Sequence, residues 1–250
     1  MLGKLLLLAA LLLAGPVPVA AQANAASPLS GFGLQPGANG ATLSLPMQIA
    51  IGLTLLTLLP AVIMSITPFL RTIIVLHFLR QALGTQSTPS NPILLGLALF
   101  ISLLVMQPVT SEMYDNAWQP LEAGQITTQQ ALEEGAKPLK TFLIRFVRES
   151  DVKLFLDVTE SPEPATPEDL SLSVLIPSYI LSELKAGFQI GAVLYLPFVI
   201  IDLVVASVTL SIGMIQLPPV MLSAPFKILL FVLVDGWSLV VGSLMKSFYV

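Results

Sequence analysis

The stretch that decides the fold is Ala186–Met245, which reads AGFQIGAVLYLPFVIIDLVVASVTLSIGMIQLPPVMLSAPFKILLFVLVDGWSLVVGSLM. Its charged residues are Asp202, Lys227 and Asp235. The step Leu217-Pro218-Pro219 divides the stretch, because proline lacks a backbone N–H donor and disfavours helix in the residue before it. The sequence therefore predicts a C-terminal hydrophobic helical hairpin over residues 186–250.

The composition of the whole chain indicates a membrane protein. Of its 250 residues, 55% are hydrophobic and 10% are charged, and the mean hydropathy is +0.87. A soluble domain of this length cannot bury so much apolar surface. There is no cysteine and a single histidine, His77, so we expect neither a metal site nor another cofactor. The net charge of -4, without a basic run, argues against nucleic acid as a partner.

The N-terminus has the pattern of a secretory signal peptide. Lys4 precedes an apolar run over residues 5–14, and small residues follow at Ala21-Gln22-Ala23. We expect cleavage after Ala21 or Ala23, which removes a signal peptide over residues 1–21 or slightly more. The alternative is an uncleaved membrane helix, but the apolar run is too short to cross about 30 Å of hydrocarbon. Residues 22–45 have no charge and are rich in small residues, which predicts a flexible segment.

Two apolar runs and an acidic region lie between this segment and the C-terminal hairpin. Ile49–Ile66, with Pro60 inside it, and Ile93–Met106 predict an N-terminal hydrophobic helical hairpin over residues 46–110. Residues 111–185 contain more acidic than basic residues and predict a water-facing helical domain. In this domain Pro138 is expected in the first turn of one helix, and Thr166-Pro167-Glu168-Asp169 is expected to begin another.

Loop charges set the orientation of the chain in the membrane. Arg71 and Arg80 lie between Pro68 and Asn91 with no acidic residue nearby, so the positive-inside rule places this segment in the cytoplasm. A cleaved signal peptide leads to the same orientation. The acidic domain is then periplasmic, and the Pro218-Pro219 turn is cytoplasmic if every helix crosses completely.

The charges within the apolar helices are candidate functional residues. An unpaired charge costs at least about 2.5 kcal/mol at the centre of a membrane, so Asp202, Lys227 and Asp235 must face protein or water. We predict ion pairs between helices in which Lys227 neutralises either Glu183 or Asp202. Alternatively, the C-terminal hairpin does not lie in lipid, and its charges are partly hydrated. His77 is expected to be a packed or interfacial side chain.

The loop between the two C-terminal helices is a candidate pore constriction. Met214, Ile215, Gln216 and Leu217 lie between Gly213 and the paired prolines. Methionine adapts to varied surfaces, and a ring of apolar loops excludes water and ions. The alternative is that Met214 simply fills the core of the hairpin. Gln216 is the exception, since a polar side chain in a hydrophobic seal needs a partner or points away from it.

Short sequence blocks carry a resemblance to a known family. They are SITPF at 65–69, LRQALG at 79–84, SELK at 182–185, FQIG at 188–191, PFK at 225–227 and FVLVDGW at 231–237. From residue 46 onward the chain resembles the FliP family of type III secretion export-gate proteins. The predicted signal peptide favours the flagellar branch. Members of this family usually have adjacent methionines before the paired prolines, whereas this chain has Ile215 and Gln216 there.

The resemblance implies a function, partners and an assembly. Five FliP-family copies would form a helical ring with FliQ and FliR in the bacterial inner membrane, at the flagellar basal body. Unfolded export substrates would pass through its centre, and other components of the export apparatus would bind to it. The C-terminal hairpins would stand largely above the lipid.

Two other functions are alternatives for this sequence. A small-solute or ion transporter subunit would use Asp202 and Asp235 as coupling residues, but its two halves should be related, and these hairpins are not. A structural scaffold is compatible with the sequence. We expect no enzyme activity and assign no catalytic residue, because the chain has one histidine and no nucleophile motif.

Overall fold

The structure is a computed structural model that describes residues 45–85, 87–162, 164–213 and 218–249. Every secondary-structure element in these residues is a helix, which confirms the predicted all-α class. The described residues divide into two units, one that ends at residue 63 and one that begins at residue 64. The predicted signal peptide and almost all of the predicted flexible segment lie outside the described residues.

The first apolar run forms one helix. Helix α1, Leu45–Ser65, has no charged residue in its first or last turn and contains Pro60, close to the predicted bounds. Its residues 45–63 are the described part of the first unit, and its last two residues belong to the second unit.

The second unit begins with two helices that meet at a short loop. Helix α2, Phe69–Ala82, is followed by Gly84, whose φ of 74° lies in the left-handed region that favours glycine. Helix α3, Asn91–Val105, starts with a proline in its first turn, where the missing N–H has no helical partner to lose. The predicted second apolar run and α3 coincide to within two residues.

The acidic region is helical, but its first long helix starts earlier than predicted. It contains α4, Gln107–Met113, a π-helical turn, Tyr114–Trp118, and α5, Gln119–Glu122, then α6, Thr128–Phe146, and α7, Glu149–Val158. Pro138 lies inside α6, so the prediction that it occupies the first turn is wrong. A capping box between Thr127 and Gln130 starts the helix, because each side chain binds the other residue's backbone N–H.

The second predicted helix start in this region also needs correction. Thr166 and Asp169 form a capping box, but it begins only the 3₁₀ turn Pro167–Asp169. The long helix that follows, α8, starts at Leu172. The capping box is present as predicted, but the chain leaves helical geometry at Leu170, whose ψ is 131°.

Helix α8, Leu172–Ser211, connects the acidic region to the C-terminal apolar stretch. Its 40 residues correspond to about 60 Å at 1.5 Å per residue, which is about twice the thickness of a bilayer's hydrocarbon core. Its first turns pack into a core with α3, α4, α6 and α7, in which Leu143, Leu175 and Tyr179 are completely buried. The helix is continuous through residues 185 and 186, where the sequence suggested a domain boundary.

The C-terminal stretch contains one more break than the sequence predicted. Helix α9, Pro219–Leu233, follows the paired prolines, and helix α10, Gly236–Lys246, follows after a bend of 66°. Asp235 sits at this bend with a φ of 50°, and Gly236 packs so closely on the Phe231 ring that a Cβ there would clash. The last described residue is Tyr249, and Phe248 before it is buried in the core of the acidic region.

One helix in the described residues is long and apolar enough to cross a membrane by itself. This helix is α8, and the number of candidate spans rises to four if each bent pair of helices counts as one span.

Helices α2 and α8 pack closely through two glycines on α8. Ile74 lies over Gly187, and Phe78 lies over Gly191, where an added Cβ would be 2.5 Å from the ring. Small residues four apart let two helices approach closely, as in membrane helix pairs. The ion pair between Arg71 and Glu183, described below, joins the same two helices.

We predict that Gly191→Ala destabilises the protein. The added methyl group overlaps the Phe78 ring, and such overpacking costs about 1–3 kcal/mol, which exceeds the gain in helix propensity of about 1 kcal/mol. Thermal unfolding in detergent measures the change. Gly96→Ala in α3 is the control: no atom lies within 4 Å of the added Cβ, so this variant should be at least as stable as the wild type. Equal stability of both variants would contradict the packing shown here.

Candidate functional site

A buried ion pair joins α2 to α8. Arg71 Nε donates to Glu183 Oε2 at 2.9 Å, and Arg71 Nη2 donates to Oε1, so the guanidinium binds both carboxylate oxygens. The side chain of Arg71 is 7% exposed, and that of Glu183 is completely buried. A buried pair needs such paired hydrogen bonds to offset the loss of hydration.

The outer side of Arg71 is covered by the end of the chain. Its guanidinium carbon lies 4.2 Å from the centre of the Phe248 ring and 5.6 Å from that of Phe146. Its Nη1 donates to the Ser247 hydroxyl at 3.2 Å. Cation–π contacts of this kind strengthen when water is excluded. Arg71 is therefore the common contact of α2, α6, α8 and the residues after α10.

A second buried carboxylate connects α7 to the next turn of α8. Asp151 is completely buried and accepts hydrogen bonds from the Ser182 hydroxyl at 2.8 Å and from Lys185. The backbone N–H of Arg148 donates to the same Ser182 hydroxyl at 3.0 Å, and the Arg148 side chain donates to Gln189 at 2.7 Å. Burial raises the pKa of Asp151, but the hydrogen bonds from Lys185 and Ser182 outweigh it, and the net pKa is below its ordinary value.

This lowered pKa leads to a prediction for pH dependence. Ionised Asp151 stabilises the folded protein at pH values above the ordinary pKa of 3.8, and this stabilisation is lost as the pH falls through the lower, folded-state pKa. Asp151→Asn should lower the free energy of unfolding by about 0.5–1.5 kcal/mol at pH 7. As the pH falls from 5 to 3, this variant should lose less stability than the wild type. Thermal unfolding at pH values from 7 to 3 measures how the melting temperature of each protein changes with pH. Parallel curves for the two proteins would show that Asp151 does not contribute.

A third polar cluster joins α8 to α9 within the apolar C-terminal stretch. Lys227 Nζ donates to Asp202 Oδ2 at 2.6 Å, and the Ser223 hydroxyl donates to Oδ1. Lys227 is 2% exposed, whereas the Asp202 side chain is 27% exposed. Ser223 and Lys227 lie one turn apart on the same face of α9, and both point at the same carboxylate.

Asp235 is placed differently from the other predicted site residues. It is exposed at the bend between α9 and α10, and it forms no ion pair with any residue that the structure describes. Its left-handed backbone, rather than a charge partner, is its distinguishing feature. Asparagine and aspartate tolerate this conformation better than most other residues do.

The remaining predicted residues are the four of the expected constriction and His77. Met214, Ile215, Gln216 and Leu217 lie outside the described residues; the preceding Gly213 has a φ of 82° in open space, and α9 begins directly after Pro218. His77 is half-buried, and its Nδ1 lies 3.0 Å from Arg80 Nη2.

Arg80 also donates to the Asn91 side chain at 2.6 Å and to the Pro89 carbonyl at 3.3 Å, which ties the loop before α3 to α2. In the described residues, no three acidic or histidine side chains converge as a metal ion would require.

Comparison with known proteins identifies the family. The FliP family model matches residues 52–244. The chain is 49% identical to the Flagellar biosynthetic protein FliP of Pectobacterium carotovorum subsp. carotovorum over 222 residues, 88% of this chain and 86% of that protein. It is also 46% identical to the protein of the same name from Cereibacter sphaeroides, and 44% identical to that of Bacillus subtilis (strain 168). These alignments cover 85% and 81% of this chain, and 71% and 91% of the relatives. The chain belongs to the FliP family.

Membership of the FliP family confirms the resemblance stated from the sequence blocks. Every block except SITPF contains at least one residue of the contacts described above, and SITPF ends at the first residue of α2. The match also favours flagellar export over a small-solute transporter, because the relatives are flagellar biosynthetic proteins.

One of the two predicted partners of Lys227 forms an ion pair with it. Asp202 contacts Lys227 within the chain, whereas Glu183 is taken by Arg71. Lys185, two residues after Glu183, forms an ion pair with Asp151. Sequence reasoning used Arg71 for orientation and missed it as a partner. The signal available was its position in an apolar helix, where a cation requires a carboxylate on another helix.

Proposed function

We propose that this FliP-family chain is a core subunit of the flagellar type III protein export gate, a polypeptide channel in the bacterial inner membrane. The observation that carries this proposal is the family match over residues 52–244, with relatives that are flagellar biosynthetic proteins. The apolar helices agree with a membrane location, and several crossings are compatible with the candidate spans.

The assembly belongs to the same proposal. Five copies form a ring with FliQ and FliR at the basal body, unfolded flagellar proteins pass through its centre, and other export components bind to it. Large exposed apolar side chains on α8 and α9 support this, because they need a covering of lipid or protein; among them are Leu196, Leu203, Phe226 and Leu233. Residues 111–185 are the periplasmic domain, and residues 46–110 and 186–250 are its two hydrophobic flanks.

The three polar clusters have a defined role in this proposal. Each joins α8 to a different helix: Glu183 to α2, Asp151 to α7 and Asp202 to α9. Polar contacts between apolar helices fix their register, since apolar packing alone allows helices to slide. The clusters therefore hold the helices of each subunit in the arrangement that the ring requires.

Deletion of the gene in the source bacterium tests the function. The deletion strain should grow normally but release no flagellar filament protein into the medium, and a plasmid copy of the chain should restore secretion and swimming. A deletion strain that secretes and swims like its parent would contradict the proposal. Cross-linking of the membrane complex, followed by mass measurement, tests the number of copies separately.

The pore constriction gives a further prediction. If Met214, Ile215, Gln216 and Leu217 of several copies meet at the ring axis, closure depends on their bulk. Replacing all four with glycine should raise the passage of small solutes through the assembled complex, and Gln216→Met should lower it if Gln216 faces the axis. Solute uptake by cells that contain the complete complex measures the change, with the yield of purified complex as the control for assembly. Unchanged uptake in an assembled glycine variant would place the seal elsewhere.

A further inference from the structure

Arg148 forms no ion pair with any residue that the structure describes. It lies between α6 and α7, is half-buried, and donates from Nη2 to the neutral side chain of Gln189 on α8 at 2.7 Å. A guanidinium has five N–H donors, so one such hydrogen bond leaves most of them free to bind another acceptor. Arg148 can therefore bind an anion that comes from outside the described part of the subunit.

Two further hydrogen-bond donors lie beside Arg148 on α8. Lys185 precedes Gln189 by one helical turn, so the two side chains lie on the same face of α8. The Lys185 ammonium binds Asp151, but its side chain is 45% exposed and it has three N–H donors. The Gln189 oxygen accepts from Arg148, so the NH2 group of the same amide points away from Arg148 and can donate elsewhere. We call Arg148, Lys185 and Gln189 the cationic group.

The carboxylates near the cationic group leave an excess of positive charge. Asp151 is bound by Lys185, and Glu183 is bound by Arg71. Arg148 acts electrostatically on both carboxylates but is not the cation that binds either of them. Three cations therefore face two carboxylates in this part of the subunit, and the local excess is one positive charge.

The surface of α8 becomes apolar directly after the cationic group. Residues 186–201 contain no charged residue, and at 1.5 Å per residue they span about 24 Å. Large apolar side chains that are more than half exposed follow one another along this length: Phe188, Val193, Leu196 and Ile200. Such a surface needs a covering of lipid or protein. Lysine and arginine at the end of an apolar surface place their stems on it and their charges at the level of lipid headgroups.

We propose that the cationic group binds the phosphate of an anionic phospholipid at the surface of the membrane. The acyl chains of this lipid lie along the apolar surface of α8, beginning at Phe188. A lipid matches both features of the site, because its phosphate neutralises the excess positive charge and its chains cover the apolar side chains. A soluble anion would match the charge alone. The inference goes beyond the export function and uses only the membrane location of the chain.

Lipid titration of the purified protein tests the site. In neutral detergent, dioleoyl-phosphatidylglycerol, which carries one negative charge, should raise the melting temperature in a saturable manner. Dioleoyl-phosphatidylcholine has the same acyl chains, but its choline group cancels the phosphate charge, so it should raise the melting temperature much less. Inorganic phosphate at the same concentration should have no effect, because it has no acyl chains to cover α8.

Variants of Arg148 measure the contribution of its charge. Arg148→Gln should raise the half-saturating concentration of phosphatidylglycerol about fivefold, which is the contribution of one cation near an anionic lipid surface. Arg148→Lys keeps the charge and should stay within about twofold of the wild type. Lys153→Gln is the matched control, since Lys153 is exposed, forms no ion pair with the described residues and lies two residues beyond Asp151, on the side of α7 away from α8.

Gln189→Glu tests the same site without removing a cation. The new carboxylate keeps a contact with Arg148 and cancels its charge, so the half-saturating concentration of phosphatidylglycerol should rise at least as much as in Arg148→Gln. The melting temperature of each variant in detergent without lipid shows whether it is folded.

Three outcomes would overturn the proposal. Equal stabilisation of the wild type by the two lipids would show that the cations do not select the headgroup. Equal stabilisation by inorganic phosphate and phosphatidylglycerol would identify a site for a soluble anion. Equal lipid binding by Arg148→Gln, Gln189→Glu and Lys153→Gln would show that the headgroup binds elsewhere.

The failure of this proposal differs from the failure of the proposed function. The lipid titration contains no measurement of secretion, so a deletion strain that secretes normally would contradict the export function and leave the lipid site unaffected. A wild-type protein that does not distinguish the two lipids would contradict the lipid site and leave the export function unaffected.

Discussion

Arg71→Met is expected to lower the stability of the purified protein by about 3–5 kcal/mol, because it leaves Glu183 as a buried charge without a partner. The loss of the contacts with Ser247 and Phe248 adds to this effect, since it also frees the end of the chain. For a chain of this length, we expect a fall in melting temperature of about 10 °C or more. Fluorescence of the two tryptophans during thermal unfolding in detergent measures it.

Two further variants show whether burial causes this effect. Lys137→Met breaks the exposed pair with Glu134, whose side chains are 67% and 43% exposed, and should cost at most about 1 kcal/mol. The double variant Arg71→Met with Glu183→Met should recover part of the stability lost in the single variant, because no buried charge remains. If Arg71→Met and Lys137→Met cost the same, the Arg71–Glu183 pair is not buried in the folded protein.

The positions of the helices could be predicted from the sequence because they depend on local composition. The runs at Ile49–Ile66 and Ile93–Met106 contain no charge, and prolines border them, so their bounds differ from α1 and α3 by only a few residues. The predicted helix starts at Thr166 and Pro138 were wrong because the same local sequence can also occur away from the start of a long helix. The Thr166 cap begins only a 3₁₀ turn, because the residues after it leave helical geometry. Pro138 lies inside a helix, because the residues before it are already helical.

The identity of the partners in each ion pair could not be predicted from local composition. Arg71 and Glu183 are 112 residues apart, and their contact depends on the register of two helices that pack through glycines. Sequence reasoning correctly required that charges in apolar helices be paired or hydrated, and it left two carboxylates open for Lys227. The choice between them follows from the packing of α9 on α8, which places Lys227 and Ser223 against Asp202.

The C-terminal residues were missed for a related reason. Ser247 and Phe248 follow an apolar helix, and no sequence pattern indicates that they contact Arg71 or the core. The bend at Asp235 turns α10 back so that Phe248 reaches the core around Phe142 and Tyr179. An aspartate followed by a glycine within an apolar stretch was the available signal, since this pair favours a turn with positive φ.

The charge on Lys227 leads to the second large expected effect. Lys227→Glu places a carboxylate against Asp202 at a site where the side chain is 2% exposed, so two like charges meet away from water. We expect little or no assembled complex and no secretion of filament protein. Asp235→Asn, in the same apolar stretch, is the control, and it should assemble normally because Asp235 is exposed and makes no ion pair with the described residues.

Charge exchange then identifies the partner of Lys227. Adding Asp202→Lys to Lys227→Glu restores an opposite pair in reversed order, and part of the assembly and secretion should return. Adding Glu183→Lys should not help, because it places a second cation beside Arg71 and leaves the two carboxylates of the α8–α9 cluster together. The yield of complex and the secreted filament protein are measured in all variants. Rescue by Glu183→Lys and not by Asp202→Lys would show that Lys227 reaches Glu183 of another copy in the assembled ring, and that its contact with Asp202 does not survive assembly.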